Sequence, residues 1–222
     1  MRLIDRQQAK LPAHKAKDVG NDVYGDARLV LAKQVTSVLN EGALTWFLDG
    51  GTLLGAYRMG RVLPQDDDFD TAVYLPDYQG EQDLAELVRD LEAAISPQYR
   101  VRVLSSYAHK VEIYDPTSRC YSLPSDEYKG ADFHTVTVDI QVMTDGPDDS
   151  VVYLHDMLST VFVPAKTLQP RGEIECDGTV FSCPGDIKGF LGAQYGYLGT
   201  DAEFDPLTKR YVRVQAPRAC DS

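Results

Sequence analysis

An α+β fold in one domain is the architecture that the hydrophobic patterning predicts. Apolar residues recur at helical spacing over 27–39, 84–95 and 186–195. Between those segments the period drops to two, in short runs rich in Val, Ile, Thr, Tyr and Phe. A chain of 222 residues with no internal repeat, low-complexity tract or evident linker fits one domain, 27–222, preceded by a polar arm at 1–26.

In that arm, Pro12, Gly20 and Gly25 interrupt any period. Ala27, Val30, Leu31, Val35, Val38 and Leu39 then predict a helix stopped by Gly42. Residues 43–48 read as a strand halted by Asp49-Gly50-Gly51, and Thr52–Met59 as two helical turns closed by Gly60. Phe69–Leu75 is a second strand, ended by Pro76. Asp83 is placed to cap a helix whose stripe is Leu84, Leu87, Val88, Leu91 and Ile95, with Pro97 as its stop. Strands follow at 101–104, 110–114 and 134–142, with shorter ones at 160–163 and 179–181. A last helix spans Asp186–Tyr195 and ends at Gly196.

Hydrophobic residues make up 43% and charged residues 25%, enough for a packed core, which excludes wholesale disorder. The net charge of −12 argues against a protein that grips nucleic acid through its general surface, since phosphate binding needs a basic footprint. No run approaches the roughly 20 apolar residues of a membrane span, and the N-terminus lacks the apolar core of a secretory signal. Four scattered cysteines do not suggest a disulfide scaffold. The expected setting is soluble and cytoplasmic.

Chemistry concentrates in Gln65-Asp66-Asp67-Asp68-Phe69-Asp70-Thr71. Run as a strand, Asp66, Asp68 and Asp70 would share one face at about 6.6 Å intervals, with Asp67 and Phe69 on the other. That gap suits one or two hard cations held by oxygen ligands. Two carboxylates about 7 Å apart repel by about 0.6 kcal/mol in water and about 2.4 kcal/mol at an effective dielectric of 20. Val62-Leu63-Pro64 before the run and Phe69, Ala72, Val73 and Leu75 after it anchor the strand in a core, where that repulsion needs a compensating cation; the other reading is a solvated acidic turn. Just upstream, Leu48-Asp49-Gly50-Gly51-Thr52 passes from strand to helix. Paired glycines let backbone N–H groups approach an anion, and the helix N-terminus adds positive potential. A strand, a Gly-Gly-Thr turn, a helix and an Asp-x-Asp strand in this order would set a phosphate cradle beside metal-binding carboxylates.

Trp46-Phe47-Leu48-Asp49-Gly50-Gly51-Thr52-Leu53-Leu54-Gly55-Ala56-Tyr57-Arg58, taken with Leu63-Pro64-Gln65-Asp66-Asp67-Asp68-Phe69-Asp70, closely resembles the signature of the LicD/fukutin family. These are phosphotransferases built on the nucleotidyltransferase fold of the DNA polymerase β superfamily, so the resemblance implies a nucleotidyltransferase-like α+β fold with a mixed β-sheet core flanked by helices. Val138-Asp139-Ile140 looks like the family's third carboxylate strand, and 181–196 like its C-terminal helix, so the resemblance covers about residues 41–206. It implies transfer of a phosphocholine- or alditol-phosphate-like group from a CDP-activated alcohol donor to a glycan or glycoconjugate hydroxyl, with release of CMP. It further implies Mg²⁺ (or Mn²⁺) on Asp68 and Asp70 with Asp66 nearby, Asp139 as third ligand or acceptor base, and donor phosphates on Gly50, Gly51 and Thr52. The family commonly has Trp where this chain has Gln65. Some animal members hold zinc on cysteines, but here Cys176 and Cys183 are separated by six residues with no Cys-x-x-Cys pair, so the cysteines read as buried or incidental.

Arg58 and Arg61 bracket the acidic run, either to grip phosphate bidentately or to pair with aspartates. Asp67 reads as a solvated or supporting group. Lys110 reads as a surface lysine, His134 as structural, and Tyr195 and Tyr197 as packing for the last helix. Two rivals use the same residues: nucleotidyl transfer from an NTP to a small molecule or protein, and a catalytically silent nucleotide-binding module.

Overall fold

The structure is a computed structural model that describes residues 21–214 apart from 43, 65, 123–131, 156, 157, 159, 160, 206 and 209. Residues 1–20 of the expected arm, Gln65 and Cys220 lie outside the described residues. Helix α1 runs Asn21–Glu41, so it starts six residues before Ala27. Its buried stripe is Arg28, Leu31, Ala32, Val35 and Leu39, while Val30 is exposed because it falls off that 3–4 spacing.

Strand β1 (Thr45–Leu48) leads through Asp49 into α2 (Gly50–Met59), whose C-cap Gly60 is left-handed at φ 68°. Then come β2 (Phe69–Tyr74), a 3₁₀ turn (Glu81–Leu84) and α3 (Ala85–Ala94). Asp83 does not cap α3. It sits inside the 3₁₀ turn and accepts from the Gln79 N–H, although Leu84, Leu87, Leu91 and Ile95 are buried as expected. Strands β3 (Arg100–Leu104), β4 (Lys110–Tyr114), β5 (Cys120–Ser122), β6 (Asp132–His134) and β7 (Thr137–Asp145) follow. The expected 134–142 strand is thus broken at Thr135–Val136. After β8 (Ser150–Tyr153) and β9 (Phe162–Pro164) come the hairpin β10 (Gly172–Cys176) and β11 (Thr179–Cys183), then α4 (Ile187–Tyr195). Asp186 caps α4 by accepting from the Gly189 N–H at 2.9 Å. The hairpin β12 (Ala202–Asp205) and β13 (Arg210–Arg213) comes last.

The central sheet has the order β1-β2-β7-β4-β3, with β8 and β9 extending from the far half of β7. It is mixed, because β2 and β7 run parallel while the other pairs are antiparallel. Helix α1 packs on β2 and β7, and α3 packs on β3 and α1, so those two helices share one side. Trp46 faces that side and donates from Nε1 to Asn40 Oδ1 of α1. Phe47 points the other way and meets Phe190 of α4 edge-on at 5.3 Å. Its partner Ala72 shares a face with Asp70, which pairs with Asp139 and through it with Glu112. The carboxylates therefore stand on the α4 face of the sheet.

Helix α2 is seated on the loop that carries the acidic run, and Gly55 permits this. A Cβ there would lie 2.5 Å from the Arg61 carbonyl oxygen and 2.8 Å from the Leu63 nitrogen, both backbone atoms. Gly→Ala inside a helix ordinarily stabilises by up to about 1 kcal/mol. Here Gly55→Ala is expected to destabilise by about 1–3 kcal/mol, because the loop must move to admit the methyl group. A chemical-denaturation midpoint at or above that of the unmodified protein would contradict the close seating.

Candidate metal and phosphate centre

Asp66, Asp67 and Asp68 do not form a strand. The Asp66 N–H closes a turn onto the Leu63 carbonyl at 3.0 Å, and regular pairing begins only at Phe69. The alternation expected for Asp66, Asp67 and Asp68 is therefore lost, and Asp67 joins its neighbours. Among the described residues, carboxylate oxygens of Asp66, Asp67 and Asp68 lie within 4.8 Å of one another, and so do those of Asp68, Asp70 and Asp139. Asp68 belongs to both groups. Asp67 is buried, not solvated.

Each carboxylate is placed by a different element. Asp70 and Asp139 are direct partners across the parallel β2–β7 pair. The Thr71 hydroxyl donates to the Asp139 carbonyl at 2.8 Å and helps lock that register. Arg28, buried in α1, donates from Nη1 to the Asp66 carbonyl (2.9 Å) and from Nε to the Thr135 carbonyl (2.7 Å). It clamps the acidic turn to the segment that leads into β7.

The glycine turn meets the same carboxylates. Gly51 N–H donates to Asp70 Oδ2 at 3.0 Å, and the Asp70 N–H donates to Thr52 Oγ1 at 2.8 Å. Gly50 has φ 53°, and a Cβ on it would collide with the Asp70 carboxylate; a Cβ on Gly51 would sit 2.5 Å from Asp66 Oδ2. Only glycines allow the turn to come this near. Asp49, which precedes them, is buried and accepts from the Tyr153 hydroxyl (2.6 Å) and Gln194 Nε2 (3.0 Å), which ties the turn to β8 and α4.

Sequence reading missed Asp49, Arg28, Lys110 and Glu112. Lys110 is no surface lysine: its side chain is 3% exposed, and its Nζ bridges Asp139 Oδ2 (2.5 Å) and Glu112 Oε1 (2.8 Å). The alternation Lys110-Val111-Glu112-Ile113 on a strand placed both charges on one face, but nothing in it named Asp139 as the partner. The two arginines stand apart from the carboxylates. Arg58 donates to the carbonyls of Leu198 and Gly199 and lies 5.6 Å from the Tyr211 ring centre, while Arg61 is exposed beyond the α2 C-cap. His134 stacks on Tyr114 at 4.4 Å. Cys176 and Cys183 lie at opposite ends of the β10–β11 hairpin in register, both buried, while Cys120 is exposed and unpaired.

Burial and mutual repulsion govern the electrostatics. Burial, with repulsion from Asp68 and Asp67, lifts the Asp66 carboxyl to about 8. Burial and then Asp67 push Asp68 up to about 7, against the pull of Lys110 and Arg28. Asp139 is lifted by burial to about 7, with Lys110 opposing. Asp70 is raised well above the usual range by burial and by Asp68, Asp66 and Asp139. Two oxygens in this crowd, Asp66 Oδ2 and Asp139 Oδ1, are buried without a hydrogen-bond partner. Buried acceptors left bare beside other carboxylates suit a hard cation with oxygen ligands, so this cluster could bind a metal.

Carboxyls whose folded pKa exceeds the unfolded value near 4 bind more protons when folded, so stability falls as pH rises from about 4 to about 8. In chelator, the melting temperature is expected to drop between about pH 5 and about pH 8. Excess Mg²⁺ is expected to lessen that drop, and Asp68→Asn to flatten it. Melting temperatures that vary identically for the unmodified and Asp68→Asn chains would show that Asp68 titrates normally.

Residues 43–186, more than half of the chain, match the domain described as LicD/FKTN/FKRP, nucleotidyltransferase domain. Ribitol 5-phosphate transferase FKRP of Mus musculus and of Homo sapiens are each 44% identical over 46 residues, 21% of this chain and 9% of theirs. The match thus spans less than a tenth of the length of those curated relatives. Among solved structures, E. coli MS115-1 CdnC with ATP aligns with 72% of this chain and 45% of that chain, at 20% identity and a TM-score of 0.32. The extent of the domain match decides the family, and this chain belongs to the LicD/FKTN/FKRP nucleotidyltransferase-domain family.

Proposed function

We propose that the protein is a metal-dependent phosphotransferase that moves a phospho-alcohol group from a CDP-activated donor to a glycan hydroxyl and releases CMP. The observation that carries this reading is the convergence of Asp68, Asp70 and Asp139 beside the Gly50–Gly51 turn, with Asp139 Oδ1 bare. Membership of a phosphotransferase-type family supports it, and so does the partial similarity to ribitol 5-phosphate transferases.

Asp68, Asp70 and Asp139 would hold Mg²⁺ or Mn²⁺, with Asp66 beside them and its own bare oxygen as a further ligand atom. When bound, such a cation neutralises the diphosphate and stabilises the departing CMP. The chain's own residues do the rest. Backbone N–H groups at Gly50, Gly51 and Thr52, at the N-terminus of α2, are placed to receive the donor's phosphates. Gly51 N–H donates to Asp70 here, so it would turn to phosphate as the donor enters. Exposed Arg61 remains available to grip a phosphate, whereas Arg58 serves to join α2 to the segment after α4. Asp139 is read as the third cation ligand; the alternative, that it takes the acceptor hydroxyl's proton, requires Oδ1 to be free of the cation, because Oδ2 is held by Lys110.

The deciding assay incubates the purified chain with Mg²⁺ and CDP-choline, CDP-ribitol or plain NTPs, followed by mass analysis of products. CMP release with transfer of the phospho-alcohol is expected; a nucleotidylated product would sink the reading in favour of nucleotidyl transfer. If no CDP compound binds with or without Mg²⁺ in calorimetry, a silent module is the better account. Asp68→Asn and Asp70→Asn are each expected to lower turnover by about 100-fold or more while leaving the fold intact. Unchanged turnover in either variant would remove that residue from the centre.

A further inference from the structure

The row of paired residues that crosses the sheet carries charge all the way: Arg102 on β3, Glu112 on β4, Asp139 on β7 and Asp70 on β2. Lys110 lies two residues before Glu112 and so projects from the same face of β4. Its ammonium is buried between two carboxylates, 2.5 Å from Asp139 Oδ2 and 2.8 Å from Glu112 Oε1, with the Tyr107 ring centre at 5.6 Å. Glu112 is held in turn by Arg102, whose Nε donates to Oε2 at 2.5 Å. Lys110 therefore cannot swing out to a phosphate without leaving two buried carboxylates short of a partner.

We propose that Lys110 is a positioning residue that takes Asp139 Oδ2 for itself and leaves Asp139 to offer a cation one oxygen, Oδ1. The inference rests on the reading of Asp139 as a cation ligand. The asymmetry of the carboxylate carries it: Oδ2 is bonded to Lys110, while Oδ1 is buried and bare, on a residue whose carboxylate gathers with those of Asp68 and Asp70. An aspartate with both oxygens free can chelate one cation through both or swing between neighbours. Tying down one oxygen fixes the ligand count and the direction of the other. The requirement is for a lysine and not for positive charge alone. An ammonium donates along separate directions and can serve Asp139 and Glu112 at one point each. A guanidinium is a planar fork that matches both oxygens of one carboxylate and would cover Oδ1 as well. Glu112 and Arg102 form the anchor that keeps the lysine facing β7.

The test separates geometry from charge by Lys110→Arg. The unmodified full chain and the variant are titrated with Mn²⁺, with free ion followed by electron paramagnetic resonance and folding checked by thermal melting. The variant is expected to melt cooperatively yet bind Mn²⁺ about tenfold or more weakly. Binding within about twofold of the unmodified chain would overturn the proposal, because the difference expected from an outer-shell partner is larger. A second measurement needs no variant. In the ¹⁵N-lysine-labelled chain, the slowly exchanging ammonium signal of Lys110 is expected to persist at saturating Mg²⁺. Its loss on adding Mg²⁺ would mean that the cation displaces Lys110 from Asp139, which also overturns the proposal; this result decides the matter if Lys110→Arg does not fold. Failure of the unmodified chain to bind Mn²⁺ at all would instead overturn the cation reading, and the role of Lys110 with it.

Discussion

Like charge crowded into a buried place, where β2 and β7 run side by side, is the constraint that the rest of the molecule accommodates. Asp70 and Asp139 are register partners on these strands, and Asp68 is held against both. At an effective dielectric near 20, a pair of carboxylates about 5 Å apart repels by about 3 kcal/mol. Such an arrangement lowers stability in the folded chain unless protons or cations share the space. Burial first, and repulsion from neighbouring carboxylates after it, raises the carboxyl pKa at Asp66, Asp68, Asp70 and Asp139.

The surrounding structure holds the crowd in place from three directions. From one side of the sheet, Arg28 on α1 bridges the carbonyls of Asp66 and Thr135, so a helix distant in sequence fixes the acidic turn. From the edge, the Asp49–Tyr153–Gln194 group ties the glycine turn to β8 and α4. Across the sheet, Arg102, Glu112 and Lys110 alternate in charge up to Asp139. Apart from half-buried Arg102, each support is buried, and all are hydrogen-bonded, the condition under which polar groups can rigidify a core without leaving it short of partners.

The same geometry gives the glycines their purpose. At Gly50 and Gly51 a side chain would occupy the space of the Asp70 and Asp66 carboxylates, so the glycine turn and the acidic cluster lie directly against each other. The Asp67 position shows the opposite case. An expected strand alternation would have sent it outward, but the turn closed by Asp66 N–H on Leu63 draws it in beside its neighbours. No helix of the described residues is long and apolar enough to cross a membrane, and the apolar stripes are spent on covering the two faces of the sheet.

The amino-acid order by itself determined most of the elements and the acidic run: the stripe of α1, the strands around Phe47, Val73 and Ile140, the Gly50–Gly51 turn and the carboxylates Asp68 and Asp70, whereas Asp139 was marked only by the family resemblance. These are local properties, since period, turn residues and clustered charge are written in neighbouring positions. Short strands such as β8 and β10, and the break that separates His134 from β7, were not legible, because pairing partners and not local preference decide segments of three to five residues. Only the tertiary structure decided which charges meet. Register placed Glu112 opposite Asp139 and brought Lys110 inward, and helix packing carried Arg28 to Asp66 while it turned Arg58 away to Leu198 and Gly199. Hydrogen bonds over 29 to 141 positions of chain depend on where whole elements dock, and no spacing along the sequence encodes that distance.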